Sequence, residues 1–345
     1  MLGRMRHLNL LVAGLTLIAA GGCILVDAKR TAPADRPDAA TQAEVKEVKP
    51  LPDADETLAK TKGTWLENDE LRVYVAHEPI LRVYVIERKD APGSNPLLIP
   101  DHNYGGIRTC LMDPVQTINW DLASLTPAKV VESRDGYLHV RGEVQPEAMA
   151  QQEMIVEFGD DDAGRPAVTL THRLINRADR PREMAAWSLA SLVNGGVLRT
   201  EYARQKNVMW DRPMLVRSVG LFDAAVAEEP SFTFGEQAVT IDSGEAMGVG
   251  SAKLGVLSTD GTVQFKTDAA TWTSTGPAAP TTDSGEPDFS AEANDFPEGG
   301  YNVTFYKSWR PEDLNWHYTE LEHVAPLETL APGEASELVQ TIVVE

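Results

Sequence analysis

The chain is 345 residues long and carries 52 acidic against 31 basic side chains, a formal net charge of −21. A surface so acidic repels phosphate backbones, which sets nucleic acid aside as a partner. Only two cysteines are present, too few for a disulfide framework, and a chain of this length buries a sufficient core without one.

Residues 1–22 read as an export signal. Arg4 and Arg6 give a positive start, and Leu8 to Ala20 is an apolar run too short to span a bilayer as a mature helix. The run closes on Ala20-Gly21-Gly22-Cys23, which resembles a bacterial lipoprotein cleavage box with Ala20 in place of the usual Leu. Cleavage there makes Cys23 the lipidated first residue and anchors the protein to a membrane. Ile24 follows it and not Asp, which by the same resemblance implies the outer membrane of the cell envelope, on its periplasmic or surface face. Ordinary secretion with loss of Cys23 is the alternative. Only Cys110 then remains, read as a small buried apolar residue.

Residues 23–63 form a tether. They are rich in Ala, Pro, Asp, Glu and Lys and hold few aromatic or β-branched clusters, so burial cannot offset the entropy of ordering. Nine of the 31 basic and eight of the 52 acidic residues lie before residue 63, which leaves 22 against 44 in the rest. The acidity belongs to the domain that follows.

Residues 64–345 read as one all-β domain. Leu71–Val75 and Leu81–Val85 are alternating runs joined through His77-Glu78-Pro79, a hairpin-like pair. Further strands are expected at 137–143, 153–158, 167–175, 184–193, 214–221, 231–241, 253–258, 262–267, 301–307, 318–324 and 338–344. Turn residues separate them, among them Arg134-Asp135-Gly136, Asn194-Gly195-Gly196 and Asp260-Gly261. Thr271–Glu298, rich in Pro, Gly, Ser, Thr and Asp, is expected as a loop. Short strands, tight turns and scarce helical periodicity indicate a large sandwich of antiparallel sheets.

Near the C-terminus, strand alternation places Trp316, Tyr318, Glu320 and Glu322 on one face and His317, Thr319, Leu321 and His323 on the other. Two carboxylates two residues apart on one strand face lie roughly 6.5–7 Å apart at the backbone. Beside aromatic rings they suit a cluster of sugar hydroxyls. The same spacing also fits a strand at the sheet rim with its acids in water.

This region resembles the C-terminal signature of the galactose-mutarotase-like superfamily, in a branch known as a domain of unknown function. The matching residues are Pro297-Glu298-Gly299-Gly300, Asn302, Glu320-Leu321-Glu322, Pro326 and Leu330-Ala331-Pro332-Gly333-Glu334. Asn103-Tyr104-Gly105-Gly106, Ala186-Trp187 with Asn194-Gly195-Gly196, and Lys253-Leu254-Gly255 match the same branch in the same order. The resemblance implies a supersandwich of large antiparallel sheets and a carbohydrate ligand. In mutarotases a Glu takes the anomeric proton while a His protonates the ring oxygen. Here the resemblance makes Glu322 the base, with Glu320 as its alternative.

The acid has no clear match, because no His lies between Ala178 and Gly196. His102, in a polar turn beside Tyr104, is the functional candidate; His172 alternates with Leu170 and Leu174 and reads as a core or edge residue, and His323 faces away from Glu322. Sugar sites set aromatic faces beside carboxylate and amide hydrogen bonds. The ligand-binding candidates are therefore Tyr104, Arg108, Trp187 and Trp210, with Trp120, Trp309 and Trp316 behind them and core packing as the alternative for each Trp. No Cys/His metal pattern, phosphate-cradling glycine loop or Gly-x-Ser-x-Gly turn is present, so no metal and no cofactor are expected. Three functions follow: a lipid-anchored carbohydrate-binding protein, an active aldose epimerase, or a non-catalytic envelope assembly module.

Overall fold

Alternating apolar and polar residues become two antiparallel sheets. The computed structural model describes residues 58–98, 105–112, 126–203, 229–247, 251–285, 287–288, 296–308 and 317–345. With strands numbered in chain order, sheet one runs β1 (Lys62–Glu67), β2 (Leu71–Glu78), β3 (Arg82–Arg88), β4 (Gly106–Met112), β9 (Arg182–Leu192), β17 (Tyr318–Val324), β16 (Val303–Ser308), β13 (Ser251–Val256). The short β18 (Glu328–Leu330) pairs with the beginning of β9. Sheet two runs β11 (Phe232–Phe234), β12 (Ala238–Asp242), β10 (Val197–Tyr202), β14 (Ser258–Lys266), β15 (Thr271–Thr275), β19 (Ala335–Val344), β8 (Pro166–Asn176), β7 (Ala150–Asp160), β6 (Tyr137–Gly142), β5 (Ala128–Arg134).

The hairpin of β2 and β3 forms as expected, antiparallel with a bulge at Tyr74/Val75. The run 231–241 divides into β11 and β12 at Gly235, and 214–221 lies outside the described residues. Strands β4, β5 and β10 carry no clear sequence signal: β4 interleaves Arg108, Thr109 and Cys110 among its apolar residues. The loop expected at Thr271–Glu298 is corrected at its start. Thr271-Trp272-Thr273-Ser274-Thr275 is β15, paired with both β14 and β19 inside sheet two. Its β-branched residues and Trp272, only 1% exposed, satisfy a pleated, buried surface, and the Pro- and Gly-rich composition begins only at Gly276.

The two sheets differ in how their faces are covered. In sheet two, β10 and β19 alternate buried and exposed positions, so that sheet packs one face and wets the other. In sheet one, β4 and β17 are buried at every position, and β9 from Met184 onward. Their inward residues, such as Ile107, Ala190 and Leu321, join Phe305 of β16 and Leu170, Phe265 and Ile342 of sheet two in one core. Their outward residues are buried too, and three of them, Arg108, Glu320 and Glu322, are charged.

A polar thread crosses the core between the sheets. Gln340 Oε1 accepts from Ser188 Oγ at 2.7 Å and from His172 Nε2 at 3.3 Å, which leaves His172 Nδ1 to accept from Thr109 Oγ1 at 2.8 Å. Gln340 Nε2 donates to Ser274 Oγ at 2.8 Å, and the Ser274 hydroxyl donates to His323 Nε2 at 2.9 Å. These bonds fit two neutral imidazoles, while His323 Nδ1 is buried with no hydrogen-bond partner among the described residues. Gly276 makes room for the last ring, since a Cβ there would lie 2.5 Å from His323 Nδ1.

Burial pushes the His172 pKa down to about 4, partly offset by its hydrogen bond to Gln340. Burial and then the neighbouring His172 push His323 down to about 3. The unfolded chain titrates both near 6.5. It therefore binds protons below pH 6.5 that the folded chain refuses, and folding stability declines as pH falls from 6.5 toward about 4 and about 3. The expected loss is on the order of a few kcal/mol. Urea melts at pH 7, 6 and 5 should show the midpoint falling before most carboxylates titrate; an unchanged midpoint across that range refutes a neutral buried pair.

Candidate functional site

Strand register sets the outward face of sheet one. Arg108, Leu189, Glu322, Thr304 and Gly255 lie opposite one another across β4, β9, β17, β16 and β13. The neighbouring row on the same face is Gly106, Ser191, Glu320, Tyr306 and Lys253. A third row holds Cys110, Trp187 and Val324. Strand alternation puts all three rows on one side, because each is two residues from the next.

Both carboxylates therefore sit on β17, between β9 and β16, and not at a rim. Glu320 is 6% exposed and Glu322 1%, so the reading of acids in water is overturned. Each receives a cation from two strands away. Arg108 reaches from β4, placing Nη2 3.3 Å from Glu320 Oε1, and Lys253 reaches from β13, placing Nζ 3.1 Å from Glu322 Oε2. Strands lie about 4.8 Å apart, so each side chain spans roughly 10 Å, a distance its long aliphatic stem covers.

Glu322 is held more tightly than Glu320. Thr304 Oγ1, opposite it on β16, donates to Oε2 at 2.5 Å. Lys253 Nζ also stands 4.8 Å from the centre of the Trp187 ring, a cation–π contact. Trp187 itself packs with Cys110, Met112, Leu189 and Val324, an apolar floor beside the charges. A Cβ on Gly255 would lie 2.6 Å from the Tyr301 ring, so glycine lets that ring rest beside Thr304. Ser191 Oγ is buried on this face with no hydrogen-bond partner among the described residues.

Two more groups close the β3 side. Arg82, fully buried, donates from Nη1 to Gly105 O at 3.1 Å. Tyr84 lies against Gly106, and burial raises its phenol pKa while Arg82 and Arg108 work against that rise. Among the described residues no group of three or more metal-ligating side chains gathers.

The signature residues Asn302 and Gly333 prove to hold the architecture, and Asn176 works with the second. Asn302 accepts from Ser258 N and donates to Ser258 O and Pro277 O, pinning the entry to β16. Asn176 donates to Arg180 O and Leu330 O, and its own carbonyl accepts from Gly333 N of the Pro332-Gly333 turn. Gly333 there has φ of 89°, a conformation that favours glycine.

The structure brings Arg108, Trp187, Glu320 and Glu322 together on one face. It sends His172 and His323 to the opposite, inter-sheet side, away from the carboxylates. His102, Tyr104 and Trp210, together with Trp120, Trp309, Trp316 and Cys23, lie outside the described residues. Sequence reasoning missed Lys253, Thr304 and Ser191. Lys253 did carry a signal: it interrupts the apolar alternation of Ala252, Leu254 and Val256, all in the core.

No family model matches the chain, and no curated protein matches it. Among solved structures, a galactose mutarotase-like protein from Lactobacillus casei aligns with a TM-score of 0.53 at 10% identity, over 82% of this chain and 100% of that one. A galactose mutarotase related enzyme from Lactobacillus acidophilus aligns at 0.48 and 8% identity, over 82% and 97%. A TPR-domain containing protein from Parabacteroides distasonis aligns at 0.49 and 13% identity over 82% of this chain; the match spans 47% of that protein, about half its length. The first likeness, at its low identity, speaks for the fold alone. The fold is galactose-mutarotase-like.

A buried ion pair contributes little net stability, but removing one partner leaves an uncompensated charge. Lys253→Met should cost about 3–5 kcal/mol for that reason. Lys253→Met combined with Glu322→Leu should recover much of the loss, as read by urea denaturation. Additive losses in the double variant would show that the pair is not coupled.

Proposed function

We propose that this chain is a lipid-anchored cell-envelope protein that binds a carbohydrate on the outward face of sheet one. The observation that carries this reading is the burial of Glu320 and Glu322 on a face turned away from the core. Each is matched with a cation, and Trp187 lies beside them. Carboxylates and cations offer acceptors and donors to hydroxyls, and an aromatic ring offers an apolar surface to C–H groups. The solved galactose mutarotase-like neighbour supports the same ligand class. The export segment and Cys23 support the anchor.

A second reading is an active aldose epimerase with Glu322 as base. The fixed position of Glu322 between Thr304 and Lys253 favours it over Glu320. An assembly module that had lost its ligand face would have no use for these buried charges, which weighs against that third reading.

Isothermal titration of the full chain with neutral aldoses, oligosaccharides and uronates should give saturable heats with at least one class. Glu320→Gln and Glu322→Gln should each weaken that binding about tenfold or more, as expected when a charged hydrogen-bond partner is replaced by a neutral one. Silence from every sugar, with the protein folded, would defeat the reading.

A further inference from the structure

Resting on the carbohydrate reading of this face, we propose that Lys253 is the proton donor of a ring-opening site in which Glu322 is the acceptor. Opening an aldose ring needs a base at the anomeric hydroxyl and an acid at the ring oxygen. Those two oxygens share one carbon, so they lie closer together than a hydrogen bond is long. An acid and a base that stand side by side on one face can therefore reach both. Lys253 Nζ and Glu322 Oε2, 3.1 Å apart, do so.

Each other described group on the face meets this demand less well. The Arg108 guanidinium beside Glu320 does not give up its proton in proteins, so that pair has an acceptor and no donor. A lysine ammonium carries transferable protons. His172 and His323, on the inter-sheet side of the strands, are committed to the thread through Gln340 and Ser274. Tyr306, which pairs with both Glu320 and Lys253 in register, has its ring 5.9 Å from that of Tyr318. The Trp187 face and Glu322 together hold the ammonium in place.

The chemistry balances within these two residues and the sugar. Glu322 takes the anomeric O–H proton, the released electron pair forms the C1 carbonyl, and the C1–ring-oxygen bond breaks. The ring oxygen takes its proton from Lys253, giving the open-chain aldehyde, a neutral lysine and a protonated Glu322. After rotation about C1–C2 the ring hydroxyl returns its proton to Lys253 and attacks the other face of C1. Glu322 then protonates the anomeric oxygen. The product is the opposite anomer and both groups are restored.

Exchange spectroscopy by NMR on equilibrated galactose, glucose and glucuronate, with the full chain added, measures interconversion of the anomers directly. For a sugar that binds in titration calorimetry, the wild-type chain should accelerate exchange over buffer. Lys253→Arg, which keeps the charge and the contact with Trp187, should lose about 100-fold or more of that acceleration while binding changes less than about threefold. Lys253→Ala should regain part of the rate in ethylamine, which a purely structural lysine would not show. Tyr306→Phe and His102→Asn test the two other candidate donors.

Binding without acceleration overturns the proposal and leaves the carbohydrate reading intact. Acceleration that survives Lys253→Arg, or that falls only with His102→Asn or Tyr306→Phe, places the donor elsewhere and also overturns it. Absence of binding to every sugar defeats the carbohydrate reading first, and this proposal with it.

Discussion

The structure depends on where β17 lies. Flanked by β9 and β16, it presents Leu321 and His323 to the inter-sheet core and Glu320 and Glu322 to the other side. A strand in this position cannot leave its carboxylates unmatched, because charge taken out of water requires a counter-charge or hydrogen bonds. Arg108 and Lys253 supply the charge, one from each side, and Thr304 supplies a hydrogen bond. The outward face of sheet one is an organised polar surface for that reason.

Its two faces are polar in different ways. Toward sheet two, Thr109, His172, Ser188, Gln340, Ser274 and His323 form a chain of neutral hydrogen bonds that links the sheets. Neutral groups avoid the desolvation cost of ions, and the chain leaves His323 Nδ1 at its end without a partner among the described residues. On the outward side the groups are ionic. Ser191, whose hydroxyl has no partner among the described residues, lies among them. The neutral thread serves the architecture; the charged face is where a ligand has something to meet.

Much of the fold was legible along the chain because strand alternation is a local signal. The hairpin of β2 and β3 and the strands around 137–143, 167–175 and 338–344 follow from period-two patterns and turn residues. Thr271–Thr275 was hidden because five strand-forming residues precede a long stretch of turn-forming ones, and composition over the whole window outweighed them. At the site, the shared face of Glu320 and Glu322 followed from their spacing, and the resemblance singled them out. Their burial did not follow, since that requires knowing that β17 is flanked on both sides.

The sequence by itself determined the all-β class, the face shared by Glu320 and Glu322, and the opposite facing of His323, because each is a property of residues near one another on one strand. Tertiary structure alone decided that Lys253 and Arg108 complete the face. Lys253 is 69 positions from Glu322 in sequence, and Arg108 lies 212 positions from Glu320. No local period links such residues. Their meeting is set by the order of strands in the sheet, where β4 and β13 each come to rest two strands from β17.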